Sequence, residues 1–457
     1  MIGASAKTNN IGILPSTGRL SFVGFLKRYP ILLLAFGPPI FRASSGIDAT
    51  KGVVDFWAFI QVGWISVLAI RAILRIAYAK SFIIPKQIRS ALRLAFILGL
   101  LFLVSAAYST NPLVSVAYSI LYIFAWICVV EFIANVHMKP PEWLQFIFQL
   151  RLIAFILFDL VVLTVVFNPK IVMVVIPDIG IRLSGGTVAS IAVICPLMAI
   201  VSAYAFLYSL ESKARSVFYF LVGITGTVIT QSRGSELALL FSLFILLFTW
   251  AKTGKRFAQL TLSGVMAAIV LIGLLVGYYG GLRLWSVLNR GQSTIGIESA
   301  SGRTEVWMFV IKYCMSHPQG MGYIAGFRSI FREYYALGLQ FDVSHIGTAH
   351  NAFIQVLADA GWLAFIIYVM MIYKILSIGW HYAGRNMLAA STQNTNTLHA
   401  IRCALLLLIF CVADGMNSAE FVLPLRSVFY LELIIISVIL GCSAELLTRA
   451  RRPIEQL

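Results

Sequence analysis

Runs of about 20 apolar residues recur along nearly all of this 457-residue chain, and that repetition restricts it to one class of fold before any motif is read. A lone helix crosses the ~30 Å hydrocarbon core of a bilayer with ~20 mainly apolar residues, because every backbone polar group must be satisfied within the segment. Candidate spans are Tyr29–Phe41, Gly52–Ile70, Leu94–Ser109, Pro112–Val136, Leu144–Phe167, Thr187–Leu210, Ser216–Gln231, Glu236–Trp250, Ala258–Tyr279, Asn351–Tyr373, Cys403–Ser418 and Val428–Leu447. Pro30, Pro38 and Pro39 flank or interrupt the first, so whether it crosses fully stays open. A mean hydropathy of +0.90 and a charged fraction of 12% agree, against ~25% charged in soluble domains. The expectation is an all-α integral membrane protein of about 12 transmembrane helices, with residues 1–457 forming one polytopic domain.

A net charge of +17 raises nucleic acid as a partner, but the cations sit between apolar runs instead of forming an exposed basic stripe, which excludes that class. Their placement orients the chain. With the N-terminus inside, inner links hold 22 of the 35 Lys and Arg, outer links hold 12, and Arg151 lies within a span. Both termini are then cytoplasmic. Met1–Ser21 is polar and lacks a cleavable hydrophobic region of the secretory type, so the first span is expected to remain. All six cysteines but Cys314 fall in apolar runs, and neither a loop disulfide nor a structural zinc site is expected.

One polar interruption, Gly281 to Trp362, dwarfs the other links, and residues 281–350 form its external loop. Ser301 or Thr304 can cap a helix, Glu305 suits its first turn, and Val306, Phe309, Val310 and Tyr313 recur at helical spacing. That helix should stop near His317-Pro318, since a residue before proline avoids the helical region. Gln319–Gly322 reads as a turn and Phe327–Leu337 as a second amphipathic helix, both helices lying along the membrane face.

Nine of the twelve outer cations are Arg, including Arg182, Arg233, Arg283, Arg290 and Arg303. A guanidinium binds phosphate through two parallel hydrogen bonds, so this face suits a phosphorylated lipid; anchoring to lipid headgroups is the alternative. Arg233 stands in the tight link Gln231-Ser232-Arg233-Gly234-Ser235-Glu236, where a helix N-terminus and small residues favour an anion, or where it pairs with Glu236. Arg303 opens the first loop helix, where the helix dipole disfavours a cation by ~0.3–1 kcal/mol unless an anion reverses the sign. His350, at the outer interface with Arg neighbours, stays neutral and can accept a proton; otherwise it is an interfacial histidine beside Asn351 as helix cap. His317 and His345 read as structural or substrate-edge residues. Arg151 and Asp159, eight residues apart, need other partners, and most intramembrane charges, including Asp359 and Asp414, read as structural pairs.

Arg182-Leu183-Ser184-Gly185, Ser232-Arg233-Gly234, Gly302-Arg303-Thr304-Glu305-Val306-Trp307, His317-Pro318-Gln319-Gly320-Met321-Gly322, and His350-Asn351 followed by Asp359-Ala360-Gly361 together resemble the O-antigen ligase and polymerase superfamily of bacterial membrane glycosyltransferases. The similarity covers roughly Arg182–Leu363, in the family's order relative to the spans. Gly185-Gly186-Thr187 departs from a Pro-Asn pair often found there, and Asp359 stands where Glu is common.

The resemblance implies that His350 matches the family's essential histidine, that Arg233 and Arg303 match its lipid-diphosphate arginines, and that Arg182 matches the arginine of the upstream external segment. Arg283, Arg290, His345 and Asn351 are further candidates for binding the diphosphate or glycan. The implied partners are a polyprenyl-diphosphate-linked glycan donor, an acceptor that is glycan, lipid A core or protein, and membrane lipids. The implied chemistry is inverting transfer or polymerisation at the outer face of the inner membrane, with no cofactor or metal. The rival reading is a transporter or flippase of lipid-linked glycans, which would place charges at mid-depth on broken, repeated helices.

Overall fold

The computed structural model describes residues 29, 32, 56–78, 84–138, 143–168, 173–176, 180–183, 185–230, 232–251, 303–327, 329–330, 348–384, 392–424 and 426–455. Among them the chain is almost wholly helical, as α1 (Phe56–Tyr78), α2 (Lys86–Ser105), α3 (Pro112–Met138), α4 (Trp143–Phe167), α5 (Gly185–Leu207), α6 (Lys213–Thr230), α7 (Arg233–Ala251), α8 (Arg303–Ser316), α9 (Ala352–Ala383), α10 (Thr392–Gly415) and α11 (Ser427–Glu455). Nine segments among the described residues are long and apolar enough to cross a membrane. This is an all-α membrane protein. Helix α6 covers the expected span Ser216–Gln231 but is not one of the nine, since Lys213 and Arg215 open an already short helix. The expected spans Tyr29–Phe41, apart from residues 29 and 32, and Ala258–Tyr279 lie outside the described residues, as does most of the expected helix Phe327–Leu337.

Two local departures from expectation stand out. A small antiparallel hairpin, β1 (Met173–Ile176) with β2 (Gly180–Leu183), joins α4 to α5; β-branched Val and Ile on either side of Pro177 favour strand over helix. Helix α1 also runs two turns beyond Ile70. Arg71 and Arg75 therefore sit on a helix, where Glu131 of α3 pairs with Arg75 at 2.7 Å and Arg71 at 3.7 Å.

The layers follow from burial. Of the apolar window of α11, 89% is buried, and of α5, 83%, against 28% for α1, which turns its Phe59, Val67 and Ile70 outward as a lipid-facing helix does. Helices α5 and α6 cross closely because Gly223 and Gly226 present no side chain: a Cβ at Gly226 would stand 2.4 Å from Cys195 Sγ, and one at Gly223 2.7 Å from Ala199 N. Arg151 finds the partner it needs in Glu211, with a bidentate pair whose Nη2–Oε2 bond is 2.7 Å. Tyr219 lies 4.3 Å below its guanidinium, and Ser216 donates to Glu211 at 2.9 Å.

Helix α9 is broken. Ala360 and Gly361 leave helical geometry, Gly361 with φ 76° and ψ −171°, a region essentially restricted to glycine. The turn after α8 fills the gap. Met321 N donates to Ala358 O (2.7 Å), Gly322 N to Asp359 O (3.0 Å), and Trp362 N to Pro318 O (3.0 Å), while Asp359 Oδ1 accepts from Ile324 N (3.0 Å) and Gln355 Nε2 (2.9 Å). His317-Pro318-Gln319-Gly320-Met321-Gly322 and Asp359-Ala360-Gly361 are thus each other's partners. The corner between α2 and α3 grips the same segment: Tyr323 stacks on Phe102 with centroids 4.0 Å apart, its N–H reaches Ser105 Oγ (2.9 Å), and Tyr108 donates to Gln319 O (2.6 Å).

Glu211→Ala leaves the buried Arg151 charge without its carboxylate and is expected to cost about 3 kcal/mol, read as a lower melting temperature of the purified protein in detergent. Gly361→Ala would set a Cβ 2.0 Å from Pro318 O. It should release the α8 turn, destabilise by at least ~2 kcal/mol and expose the 318–322 backbone to hydrogen exchange.

Candidate active site

Three helix starts converge at one end of the bundle. Arg233 is the first residue of α7, Arg303 is the first of α8, and His350-Asn351 immediately precede α9. Each start has a local cause. Ser232, just ahead of α7, and Ser235 have their hydroxyls 3.0 Å apart across the first turn of that helix. Glu305 stands in the first turn of α8. Asn351 caps α9, accepting from Phe353 N (2.9 Å) and Ile354 N (3.0 Å), which satisfies two of the N–H groups that a helix start leaves over.

All three starts meet the C-terminal turn of α10 and the residues just beyond it, Asp414–Asn417. Ser235 donates to Asp414 Oδ1 at 2.7 Å, Arg303 Nη1 to Asn417 O at 3.3 Å, and Asn351 Nδ2 to Met416 O at 2.9 Å. Gly234 abuts Asn417, where an added Cβ would be 2.6 Å from the asparagine Cβ. The electrostatic logic is direct. The last carbonyls of α10, Ala413 O and Asp414 O, accept from Met416 N and Asn417 N, while Met416 O and Asn417 O just beyond the helix are taken by an amide and an arginine from helix starts that are positively polarised.

His350 is held in an unusual backbone state, with φ 49°. A positive φ in a non-glycine residue costs of order 1–3 kcal/mol and persists where its neighbours are over-determined. Ala349 O accepts from Trp307 Nε1 (2.9 Å), Ala349 N donates to Gln355 Oε1 (2.8 Å), and Asn351 is fixed as the cap. The His350 side chain keeps solvent contact although protein crowds it on most sides. That crowding, and then the Arg303 charge, push its pKa down to about 4. The imidazole is therefore neutral, and able to accept a proton, throughout the neutral range.

Arg182 lies in β2 opposite Val174, just before α5. Arg283, Arg290 and His345 lie outside the described residues. His317 stacks on Tyr313 at 4.3 Å, and its Nδ1 is 3.0 Å from Ser316 Oγ, a local role at the end of α8. Asn351 uses its oxygen for the cap and its nitrogen for Met416 O, so its first task is to join α9 to α10. Sequence reasoning placed Asp414 among structural charges and passed over Met416 and Asn417. The available signal was an Asn two residues beyond Gly415 at the end of an apolar run, the composition of a helix C-terminus.

Residues 218–369 match the family model described as O-Antigen ligase. The likeness to the O-antigen ligase family is carried by that stretch of the chain. No curated protein matches it significantly. The family match supports, in general, a ligase- or polymerase-type glycosyltransferase function with a lipid-linked glycan and an acceptor as substrate classes. The matched stretch of the O-antigen ligase family contains Arg233, Arg303 and His350, and it ends before the turn Asp414–Asn417 on which they meet.

A depressed histidine pKa has a definite sign. From about 6.5, the value of an unfolded histidine, down to about 4, the unfolded chain takes up a proton that folded His350 refuses, so its contribution to stability is present above 6.5 and lost as pH falls through that window. If His350 is the base, the acid limb of kcat/KM should lie well below pH 6.5, and Arg303→Gln, by removing one depressing charge, should move the residual activity's acid limb upward.

Proposed function

We propose that this protein is an inverting glycosyltransferase that takes glycan from a polyprenyl-diphosphate donor at the outer face of the inner membrane, with both termini cytoplasmic. The observation that carries the reading is the convergence of the three helix starts that bear Arg233, Arg303 and His350 on residues 414–417, with the Arg303 charge acting on His350. Two guanidinium groups at helix starts, beside a neutral imidazole, suit a diphosphate that is dianionic in the donor and gains a further negative charge as it leaves, next to a hydroxyl nucleophile.

In this scheme the donor diphosphate lies between Arg233 and Arg303. The acceptor hydroxyl oxygen attacks the anomeric carbon from the face opposite the diphosphate, the new C–O bond forms as the old one breaks, and the diphosphate leaves with the bonding pair. The hydroxyl proton passes to the His350 imidazole and from there to solvent. Stabilising the departing anion is the larger task, and preorganised cationic donors perform it without reorganisation. Bound diphosphate also offsets the Arg303 charge that depresses His350, so the histidine becomes a better base when the donor is in place. Arg182 is assigned to the glycan side of the donor, and so are Arg283, Arg290 and His345 of the long external loop, residues 281–350, which folds over the bundle.

The test is transfer by protein reconstituted in liposomes with polyprenyl-diphosphate glycan. His350→Ala and Arg303→Ala should each lower the rate by about 100-fold or more with unchanged melting. Wild-type rates in both variants would sink the mechanism. Incubation with donor alone then separates the two members of the class: a ladder of lengthened lipid-linked glycan means a polymerase, whereas reaction only after lipid A core or protein is added means a ligase.

A further inference from the structure

We infer that Asn417, outside the stretch matched to the family, is the positioning residue that sets the separation of the two diphosphate-binding arginines; the inference rests on the donor-binding role assigned to Arg233 and Arg303. Asn417 touches both arms at once. Its backbone oxygen accepts from Arg303 Nη1 at 3.3 Å, which fixes one edge of that guanidinium. Its side chain lies against the first turn of α7: from the position of a Cβ on Gly234, Asn417 Cβ, Cγ and Nδ2 would be 2.6, 3.0 and 3.3 Å away. Arg233 is the residue next to that contact, so the distance at which α7 can seat against residue 417 determines where its guanidinium starts.

The turn itself is well fixed. Asn417 N donates to Asp414 O at 2.8 Å, and Met416 O is held by Asn351. Ser235 ties α7 to Asp414 on the other side. A rigid turn with one arginine hydrogen-bonded to its backbone and the other seated against its side chain acts as a spacer. A diphosphate has a fixed span, so a change in this spacing weakens donor binding while leaving the acceptor side, at His350, in place.

The contact between residues 234 and 417 makes the idea testable as a compensating pair. Gly234→Ala should push α7 away and raise KM for the lipid-linked donor about tenfold, with KM for the acceptor unchanged; a tenfold change is large enough to resolve and small enough to keep measurable activity. Gly234→Ala/Asn417→Gly removes the clashing Cβ and should recover much of that loss. Asn417→Gly alone introduces no clash, should fold, and should raise donor KM several-fold by loosening the seat of α7. A merely structural role would lower the active fraction, and hence apparent kcat, without moving donor KM. The inference is overturned if Asn417→Gly keeps wild-type donor KM, or if folded Gly234→Ala does, or if the double variant is as impaired as the product of the two single changes. Should Arg303→Ala and His350→Ala abolish transfer while these variants stay neutral, the spacer role alone fails and the proposed chemistry stands.

Discussion

Breaking a helix inside an apolar bundle leaves backbone groups that only other protein groups can satisfy, and in this chain the break in α9 is answered by a turn almost 40 residues upstream. Three backbone hydrogen bonds and the Asp359 carboxylate bind residues 318–324 into that gap. Much of the rest follows. With the turn locked in, α8 has a fixed C-terminal anchor, and the helix then runs back so that its first residue, Arg303, reaches the end of α10. Above the break, α9 carries Asn351 and His350 to the same place. The glycines that permit this, Gly320 and Gly361, work as a pair, since a Cβ on Gly320 would meet Gly361 N at 2.6 Å.

The broken helix and intramembrane charge that a transporter would use have other roles in this fold. A broken helix in a transporter commonly presents its free backbone groups to a substrate path; here Ala358 O, Asp359 O and Trp362 N are taken by the α8 turn. The intramembrane Arg151 is committed to Glu211, Ser202 and two aromatic rings. The groups gathered around α10's C-terminal turn are, by contrast, two arginines and a histidine at chain positions where helices begin. That division, with structural polarity inside and the arginine-bearing helix starts at one end, is the one the proposed function uses.

The sequence made some of this legible and hid the rest for a physical reason. Helix starts at Arg233 and Arg303, the stop before Pro318, the turn at Gln319–Gly322 and the Asn351 cap are set by neighbours within a few residues, so they can be read locally. The long apolar runs likewise gave away the fold class. Contacts between distant segments leave no such trace: nothing near Gly234 announces Asn417, and nothing near Pro318 announces Gly361. The strands at Met173–Ile176 and Gly180–Leu183 were missed because a short Val- and Ile-rich link between helices gives no long periodic pattern. The extension of α1 through Arg71 and Arg75 was missed because charged side chains at a helix end read as a loop until their partner, Glu131, is known. Arg283, Arg290 and His345 lie outside the described residues.

The turn Asp414–Asn417 also sets an order of assembly. Chains are synthesised from the N-terminus, so Arg233 and Arg303 exist before the helix that brings them together, and the 318–322 turn is made before the gap in α9 that receives it. Neither half of the site can take its final arrangement until α10 has been inserted and its last turn has closed against α7, α8 and α9. The proposed site is therefore a late product of insertion, and an incompletely inserted chain displays two separate arginines instead of a pair.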